Sequence, residues 1–319
     1  SPFHFANKGK LARIRPDDLA AQVVNGLLKQ TGVDPNEIED IMLGCAFPEG
    51  EQGFNVAKLV GMLSELPQSV AGTTINRFCG SSMQAIHMAA GAIQMDAGHA
   101  FIAGGIESMS RVPMMGFNPM PNPKLAESNP GAYMAMGITA ENLATKYQFT
   151  REAQDAYAVA SLTRARTAVD DGTFDGEITP QTVRTRKGES QVTRDEQPGK
   201  AVPDKIGSLK PAFRKDGTIT AGSASQISDG AAAVLLCSPA GLRRLGIDGP
   251  VPRVLGVGLV SGSVQTGLGD LNAEDVSRRA GEQAWALSGV GPDDVDLVEM
   301  HDCFTIAEIV RMEGLGLVP

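Results

Sequence analysis

The feature that most constrains the fold of this chain is an internal repeat. Residues 31–47 (TGVDPNEIEDIMLGCAF) align without gaps with residues 288–304 (SGVGPDDVDLVEMHDCF), with identical glycine, valine, proline and phenylalanine positions. A helical pattern precedes each copy, so the repeated unit is predicted to be helix, turn and strand. Two interpretations stay open: chance similarity of generic units, or a duplicated α/β fold with two similar halves. The second interpretation places a large insertion in the first half, from about residue 113 to 228.

The spacing of apolar residues predicts alternating helices and strands. Helices are predicted over residues 16–30, 139–147 and 151–170, and strands over 38–43 and 99–103. Residues 113–130 show little periodicity and predict an irregular excursion, whereas 220–238 predict a Gly/Ser loop and a short buried strand. The predicted domains are an N-terminal core (1–112), an inserted loop domain (113–228), a return to the first core (229–248) and a second core (249–319).

Composition excludes several classes of function. The net charge is −9, so the whole chain is repelled by nucleic acid and by anionic membranes and is expected to bind them poorly. No apolar run is long enough to span a bilayer, and none resembles a signal peptide. The four cysteines (Cys45, Cys79, Cys237 and Cys303) form no CxxC pair, which argues against a zinc site or a disulfide framework. A reducing, cytoplasmic location is therefore predicted.

One stretch departs from the acidic average. Residues 184–215 carry nine Lys/Arg against four acids. This local excess is typical either of a solvated charged loop or of a landing site for a strongly anionic small molecule, such as a nucleotide carrier. The composition alone leaves both interpretations open.

Cys79 has the most suggestive position among the cysteines. It lies in NRFCGSSMQAIHMAA (76–90), where Ser81 and Ser82 are good N-cap residues before an apolar helix. A free cysteine is commonly a buried packing residue. A cysteine at a helix N-terminus is also typical of a nucleophile, because the macrodipole stabilises a thiolate and nearby N–H groups stabilise an oxyanion.

A cysteine nucleophile needs a base, and the chain has few histidines. His4 is predicted to lie at the surface, His87 to pack in the helix and His99 to be structural. His301 follows the predicted strand of the second repeat copy, where open α/β sheets bind ligands. The same HDCF motif carries Asp302 and Cys303, so His301 is either a hydrogen-bonded strand-end residue or part of a site.

The remaining polar and thiol candidates have simpler interpretations. Cys45 and Cys237 are predicted to be buried small hydrophobes. Asp229 is predicted to form an Asx-type turn. Glu107, in AGGIESMS, is predicted to be a turn-region carboxylate and is not expected to act as a base.

Taken with these motifs, the sequence resembles the thiolase superfamily. The resemblance rests on NRFCGSSMQAIHMAA, AGGIESMSRVP (103–113), MGITAEN (136–142), LKPAFRKDGTITAGSASQISDGAAA (209–233) and HDCF (301–304). It implies an α/β, five-layered αβαβα fold with two similar core domains and an inserted loop domain. The HDCF version is similar to the sterol-carrier-protein type of thiolase.

The resemblance also implies site residues and ligands. Cys79 would be acylated by an acyl-CoA, Cys303 would serve as acid/base and His301 would help to form an oxyanion hole. Ser225 would contact the pantetheine arm, Met136 would line the acyl pocket, and the basic stretch would meet the ADP part of coenzyme A. Coenzyme A is implied as a substrate, with no permanently bound cofactor and no metal, in a homodimer or homotetramer.

The implied activity is CoA-dependent cleavage of 3-ketoacyl-CoA, or the reverse Claisen condensation of acyl-CoA, through an acyl-cysteine intermediate. The alternatives are a non-catalytic acyl-CoA- or lipid-binding protein and a ketoacyl synthase of the same fold. Thiolases continue into a segment with a Gly-His-Pro motif that does not occur here. We therefore expect that this sequence lacks the C-terminal part of the family's second core.

Overall fold

The computed structural model describes residues 1–262 and 273–318, which form two compact units. The first unit contains residues 1–119, 166–200 and 227–252, and the second contains the rest of the described chain. Residues 263–272 of the predicted second core lie outside the described residues. The predicted domain boundaries stay a prediction. Within the described ranges, no helix is long and apolar enough to cross a membrane.

The secondary structure combines strands and helices in alternation. The strands are β1 (His4–Phe5), β2 (Asp40–Gly44), β3 (Ala71–Ile75), β4 (Ala100–Ser108), β5 (Gln181–Thr185), β6 (Gly188–Val192) and β7 (Ser228–Cys237). The helices are α1 (Pro16–Thr31), α2 (Val56–Leu63), α3 (Ser81–Gln94), α4 (Pro123–Ser128), α5 (Met136–Lys146), α6 (Arg151–Asp170), α7 (Gln197–Lys200), α8 (Pro239–Arg244), α9 (Ala273–Ser288) and α10 (Thr305–Gly314).

The first unit is built on a five-stranded sheet in the order β1-β7-β4-β2-β3. Strands β4, β2 and β3 are parallel, and β7 and β1 add antiparallel partners at one side. Alternate side chains of the central strands face opposite layers. Ile41 and Ile102 belong to the core under α1 and α2, whereas Met42 and Phe101 belong to the core with Ala85 of α3. Both faces of the sheet are therefore covered.

Two glycines allow α3 to approach the sheet closely. Gly44 of β2 and Gly105 of β4 are register partners. A Cβ atom placed on Gly44 would lie 2.5 Å from the backbone nitrogen of Ser82, and one placed on Gly105 would overlap the Ser82 hydroxyl. The first turn of α3 therefore rests directly on the ends of the two strands.

The second unit is assembled around a smaller core. Its buried apolar side chains come from α5, α10 and the segments between them: Ala140, Leu143, Ala144, Ile219, Phe304, Ile306 and Val310. Helix α9 packs against α10. The carboxylate of Glu141 accepts backbone N–H bonds from Thr218 (2.9 Å) and Ile219 (3.1 Å), which fixes the 211–220 turn to α5.

The two repeat copies share their local structure. Helices α1 and α9 each have 16 residues and end at aligned positions. Each is followed by a glycine with positive φ (Gly32, +66°; Gly289, +72°) and then by a 3-10 turn, Pro35–Glu37 or Pro292–Asp294. A left-handed residue after a helix favours glycine. This correspondence favours a duplicated unit over chance similarity.

Several predicted elements differ from the structure. Helices α1 and α6 and strand β2 form where predicted, but α5 begins at Met136, one turn before the predicted start. In the second copy, residues 295–301 form no strand within the described part of the chain. A strand requires a hydrogen-bonded neighbour. The one pairing described nearby is an isolated bridge between Ala224 and Phe304.

The glycine packing gives a stability prediction. Gly44→Ala is expected to lower the free energy of unfolding by about 1–3 kcal/mol, because its methyl group would displace the backbone of α3. The matched control is Gly91→Ala in α3, where the added Cβ has no described atom within 4 Å apart from its chain neighbours and the nearby backbone of the helix itself. That change is expected to raise stability by about 0.5–1 kcal/mol. Urea unfolding measures both, and an unchanged Gly44→Ala protein would contradict the packing.

Candidate active site

The carboxyl ends of three parallel strands meet at one edge of the first unit's sheet. Cys45 follows β2, Asn76 follows β3, and Glu107 is the penultimate residue of β4. Backbone hydrogen bonds continue past the strand ends, since the Cys45 N–H donates to the Ile75 carbonyl at 2.9 Å. Ligands of open α/β sheets bind at this edge.

Cys79 lies in a tight turn at this edge. The 3-10 turn Phe78–Gly80 joins β3 to α3, and Phe78 has a positive φ of 46°. The Asn76 side chain stabilises this strained backbone by accepting the Phe78 N–H at 2.9 Å. The Ser81 hydroxyl accepts the Arg77 N–H (2.8 Å) and donates to the Phe78 carbonyl (2.6 Å).

The Ser81 contacts correct one expectation from the sequence. Ser81 and Ser82 are the first two residues of α3, not its N-cap, and Gly80 holds the cap position without a side-chain bond. Ser81 braces the turn because its hydroxyl reaches back towards Phe78. The Cys79 thiol is exposed at the start of a 14-residue helix. Such a position suits a nucleophile, because the helix N-terminus stabilises negative charge.

The other predicted site residues belong to the second unit. A short antiparallel ladder joins the Gly/Ser loop to the HDCF segment: Ser225 N–H donates to the Cys303 carbonyl (2.8 Å), and Thr305 N–H donates to the Ser223 carbonyl (3.0 Å). The bridge pair between them is Ala224 and Phe304. Ser225 and Cys303, predicted separately from the sequence, are therefore backbone neighbours.

Met136 is linked to the same segment through aromatic packing. It is the first residue of α5 and is exposed. A Cβ placed on the next residue, Gly137, would meet the Phe213 ring. That ring packs edge-on against Phe304, with centroids 5.6 Å apart. The residue after Met136 and the residue after Cys303 thus both meet the Phe213 ring, whereas Cys79 belongs to the first unit.

His301 and Asp302 lie in a mixed electrostatic environment. Desolvation and the positive charge of Arg311 lower the pKa of His301, against a smaller opposite effect of Asp302. Desolvation and the neighbouring Glu308 carboxylate raise the pKa of Asp302. The Tyr157 hydroxyl donates a hydrogen bond to Glu308. Desolvation, and to a smaller extent this bond, raise the pKa of the Tyr157 phenol. A neutral imidazole at neutral pH can donate one N–H and accept at its other nitrogen.

The remaining histidine and cysteine predictions have mixed outcomes. His4 is buried, contrary to its predicted surface position, because its ring contacts Glu196 (3.2 Å) and the Arg194 carbonyl (3.1 Å). His99 contacts the Ser238 hydroxyl at 2.9 Å, in agreement with a structural role. Cys45 is buried as predicted, and Cys237 is half-buried.

The basic stretch divides between the two units. Residues 184–200 belong to the first unit, and residues 201–215 to the second. Three of its cations form ion pairs within the first unit: Arg184 with Glu189, Arg194 with Asp170, and Lys200 with Glu196. These pairs are exposed on at least one side, so they contribute little stability.

Comparison with known proteins decides the family. The model of the thiolase N-terminal domain matches residues 2–240, and that of the thiolase C-terminal domain-like family matches residues 263–319. The chain belongs to the thiolase family. Among its relatives, a 3-ketoacyl-CoA thiolase of Bacillus subtilis is 41% identical over 99% of this chain and 82% of its own length. An acetyl-CoA acetyltransferase of Pseudomonas aeruginosa is 39% identical over 97% of this chain and 80% of its own length.

A solved structure agrees with this assignment. The crystal structure of the Bacillus anthracis acetyl-CoA acetyltransferase has a TM-score of 0.86 and 31% identity, and the match covers 100% of this chain and 82% of that one. The thiolase fold expected from the sequence is confirmed. This thiolase is an acyltransferase of the thiolase type, as the resemblance implied.

The contrast between two thiols of the first unit gives a reactivity prediction. Burial and the negative charge of Glu107 raise the pKa of Cys45 to about 12, whereas Cys79 is exposed. At pH 8 iodoacetamide is expected to modify Cys79 at least about 10³-fold faster than Cys45, because the thiolate is the reactive form. Peptide mass spectrometry measures both rates. Unfolding in guanidinium should make the two modification rates similar. Equal rates in the folded protein would contradict the prediction.

A second prediction concerns His301. Arg311→Met is expected to raise the pKa of His301, because a positive charge that disfavours the imidazolium is removed. The protonated form should then persist to higher pH. NMR titration of the ring protons measures this, with His301→Gln identifying the resonance. A midpoint that stays in place or falls would show that Arg311 does not act on this ring.

Proposed function

We propose that this thiolase cleaves 3-ketoacyl-CoA with coenzyme A, through an acyl group carried on Cys79, and can catalyse the reverse condensation of acyl-CoA. The observation that carries the proposal is the Cys79 turn: an exposed thiol, held in a braced backbone, at a helix N-terminus and at the ligand-binding edge of the sheet. The names of the relatives support the substrate class.

The proposed first half-reaction transfers the acyl group to the enzyme. The Cys79 sulfur attacks the 3-keto carbon, and the oxyanion that forms is stabilised by N–H donors. The bond between carbons 2 and 3 then breaks, and its electron pair leaves with the acetyl-CoA carbanion. The Cys79 thiol loses one proton in this half-reaction and the carbanion takes one up, so the number of protons is conserved. The products are acetyl-CoA and an acyl thioester on Cys79.

The second half-reaction releases the acyl group. The thiol of coenzyme A gives up its proton, its sulfur attacks the acyl-Cys79 thioester, and Cys79 leaves as a thiolate that is reprotonated. Cys303 is proposed to deliver and remove these protons, and an N–H of His301 to stabilise the thioester oxygen of the substrate. A neutral His301 can act as such a donor.

Ser225 and Met136 are proposed to bind the substrate. The Ser225 backbone is fixed beside Cys303, which suits a contact to the pantetheine arm of a substrate that reaches this thiol. The exposed Met136 offers an adaptable apolar surface for the acyl chain. The exposed cations Lys205 and Lys210, in the same unit as Ser225, suit the phosphates of coenzyme A.

Trapping of the acyl-enzyme tests the proposal. The purified protein is incubated with acetoacetyl-CoA or 3-ketodecanoyl-CoA without coenzyme A, and its intact mass and peptides are measured. We expect one acyl group on Cys79 and release of acetyl-CoA. Cys79→Ser is expected to lose at least about 10³-fold in rate, whereas the matched control Cys237→Ser keeps the activity.

The outcomes separate the alternatives. Undiminished acylation in Cys79→Ser would overturn the mechanism. Binding of acyl-CoA without acylation in the wild type would favour the non-catalytic alternative, and condensation that requires a malonyl donor would favour a ketoacyl synthase. The homodimeric or homotetrameric state and the cytoplasmic location stay predictions, of which light scattering tests the first.

A further inference from the structure

Glu107 holds the loop at the end of β2. Its Oε2 accepts the Ala46 N–H at 2.7 Å, and its Oε1 accepts from the Gln52 side-chain nitrogen at 2.6 Å. The Phe47 N–H also donates to this carboxylate. Both oxygens of a partly buried carboxylate are therefore occupied by N–H donors from one short segment.

Gln52 cannot adjust to a different partner at position 107. It is fully buried, and its side-chain nitrogen also contacts the Phe47 carbonyl (2.9 Å) and the Cys45 sulfur (3.3 Å). Its oxygen accepts the Ser108 N–H at 2.6 Å. Rotation of the amide would break these contacts, so residue 107 must present an acceptor towards Gln52 and a second one towards Ala46.

The loop held by Glu107 contacts the turn that carries Cys79. The Ala46 carbonyl accepts the Asn76 side-chain N–H at 3.0 Å, and the other end of that amide holds the Phe78 N–H. The Phe47 and Phe78 rings pack with centroids 6.1 Å apart. A positive φ at a phenylalanine persists only when its surroundings enforce it. Movement of Ala46 would therefore be passed on to the residue next to Cys79.

We propose that Glu107 is a positioning residue for the Cys79 thiol: its carboxylate fixes the Cys45–Phe47 loop, which in turn fixes the strained Phe78 turn. The proposal rests on the proposed function, in which Cys79 is the nucleophile. Glu107 is not the base of the reaction, since hydrogen-bond donors occupy both of its oxygens. Burial raises the pKa of this carboxyl, and the bonds from Ala46, Gln52 and Phe47 oppose that effect.

The test compares Glu107→Gln with Glu39→Gln. Glu39 is the matched control, because its carboxylate accepts two backbone N–H groups, from His99 (3.0 Å) and Ala100 (2.7 Å), at the opposite end of β4. Iodoacetamide modification of Cys79 is followed by peptide mass spectrometry at pH 7.5, together with urea unfolding. We expect Glu107→Gln to slow Cys79 modification roughly tenfold, which is about 1.4 kcal/mol in the barrier, and Glu39→Gln to leave it within about twofold.

The sign of the effect distinguishes lost positioning from a change in charge and from partial unfolding. Loss of a negative charge by itself favours a nearby thiolate, so it would speed the modification. Partial unfolding would also expose the buried Cys45, and loss of the Glu107 charge by itself lowers the pKa of Cys45. Cys45 is therefore counted as protected when its modification stays far slower than in the guanidinium-unfolded protein. Slower Cys79 modification with Cys45 still protected supports the proposal. An unchanged or faster Cys79 rate with Cys45 protected overturns it.

A second variant keeps the test decisive if Glu107→Gln fails to fold. Glu107→Asp retains the charge and both acceptors but withdraws them by one methylene, so Cys79 modification should again slow. An Asp variant that folds and reacts like the wild type would overturn the proposal. Alkylation uses no acyl-CoA, so a wild type that is not acylated by 3-ketoacyl-CoA refutes the proposed function alone. In an active enzyme, Glu107→Gln should lower kcat with little change in KM.

Discussion

The direct contact between α3 and two strand glycines is the constraint on which the first unit depends. Because Gly44 and Gly105 have no side chains, the first turn of α3 reaches the backbone level of β2 and β4. The same contact fixes the distance between the sheet and the start of α3. Cys79 lies in the turn that joins β3 to this helix. Packing in the core and exposure of the thiol are therefore two consequences of one close approach.

In the second unit, the backbone of the HDCF segment is held by different contacts. Its HDCF segment has one bridge to the Gly/Ser loop, and the buried Phe304 ring anchors that bridge against Phe213. The backbone beside Cys303 is thus fixed by two hydrogen bonds and one aromatic contact. Glycine at positions 217 and 222 permits close packing of the loop, because added side chains would meet Glu141 and Ile206.

The sequence predicted local elements better than long-range pairing. Helix α1 was predictable because its apolar spacing and the proline at its start are local signals. The structure of residues 295–301 was not predictable in this way. Their apolar pattern resembles that of β2, but a strand forms only where a neighbouring strand is available to pair with it. Glu107 was undervalued for the same reason: its partners Ala46 and Gln52 are 61 and 55 residues away in the sequence. His4 was misplaced because Glu196 lies far along the chain.

The two repeat copies hold their loops by similar local contacts but carry different side chains. Ala46 and Cys303 occupy aligned positions, and the carbonyl of each accepts a hydrogen bond from a neighbouring segment: from Asn76 in the first copy and from Ser225 in the second. The next aligned residue, Phe47 or Phe304, packs on another phenylalanine in both copies. These two local contacts are therefore common to both copies, although β2 precedes the first loop and no described strand precedes the second. The side chains differ, because the first loop carries the small Ala46 at this position and the second carries the thiol of Cys303.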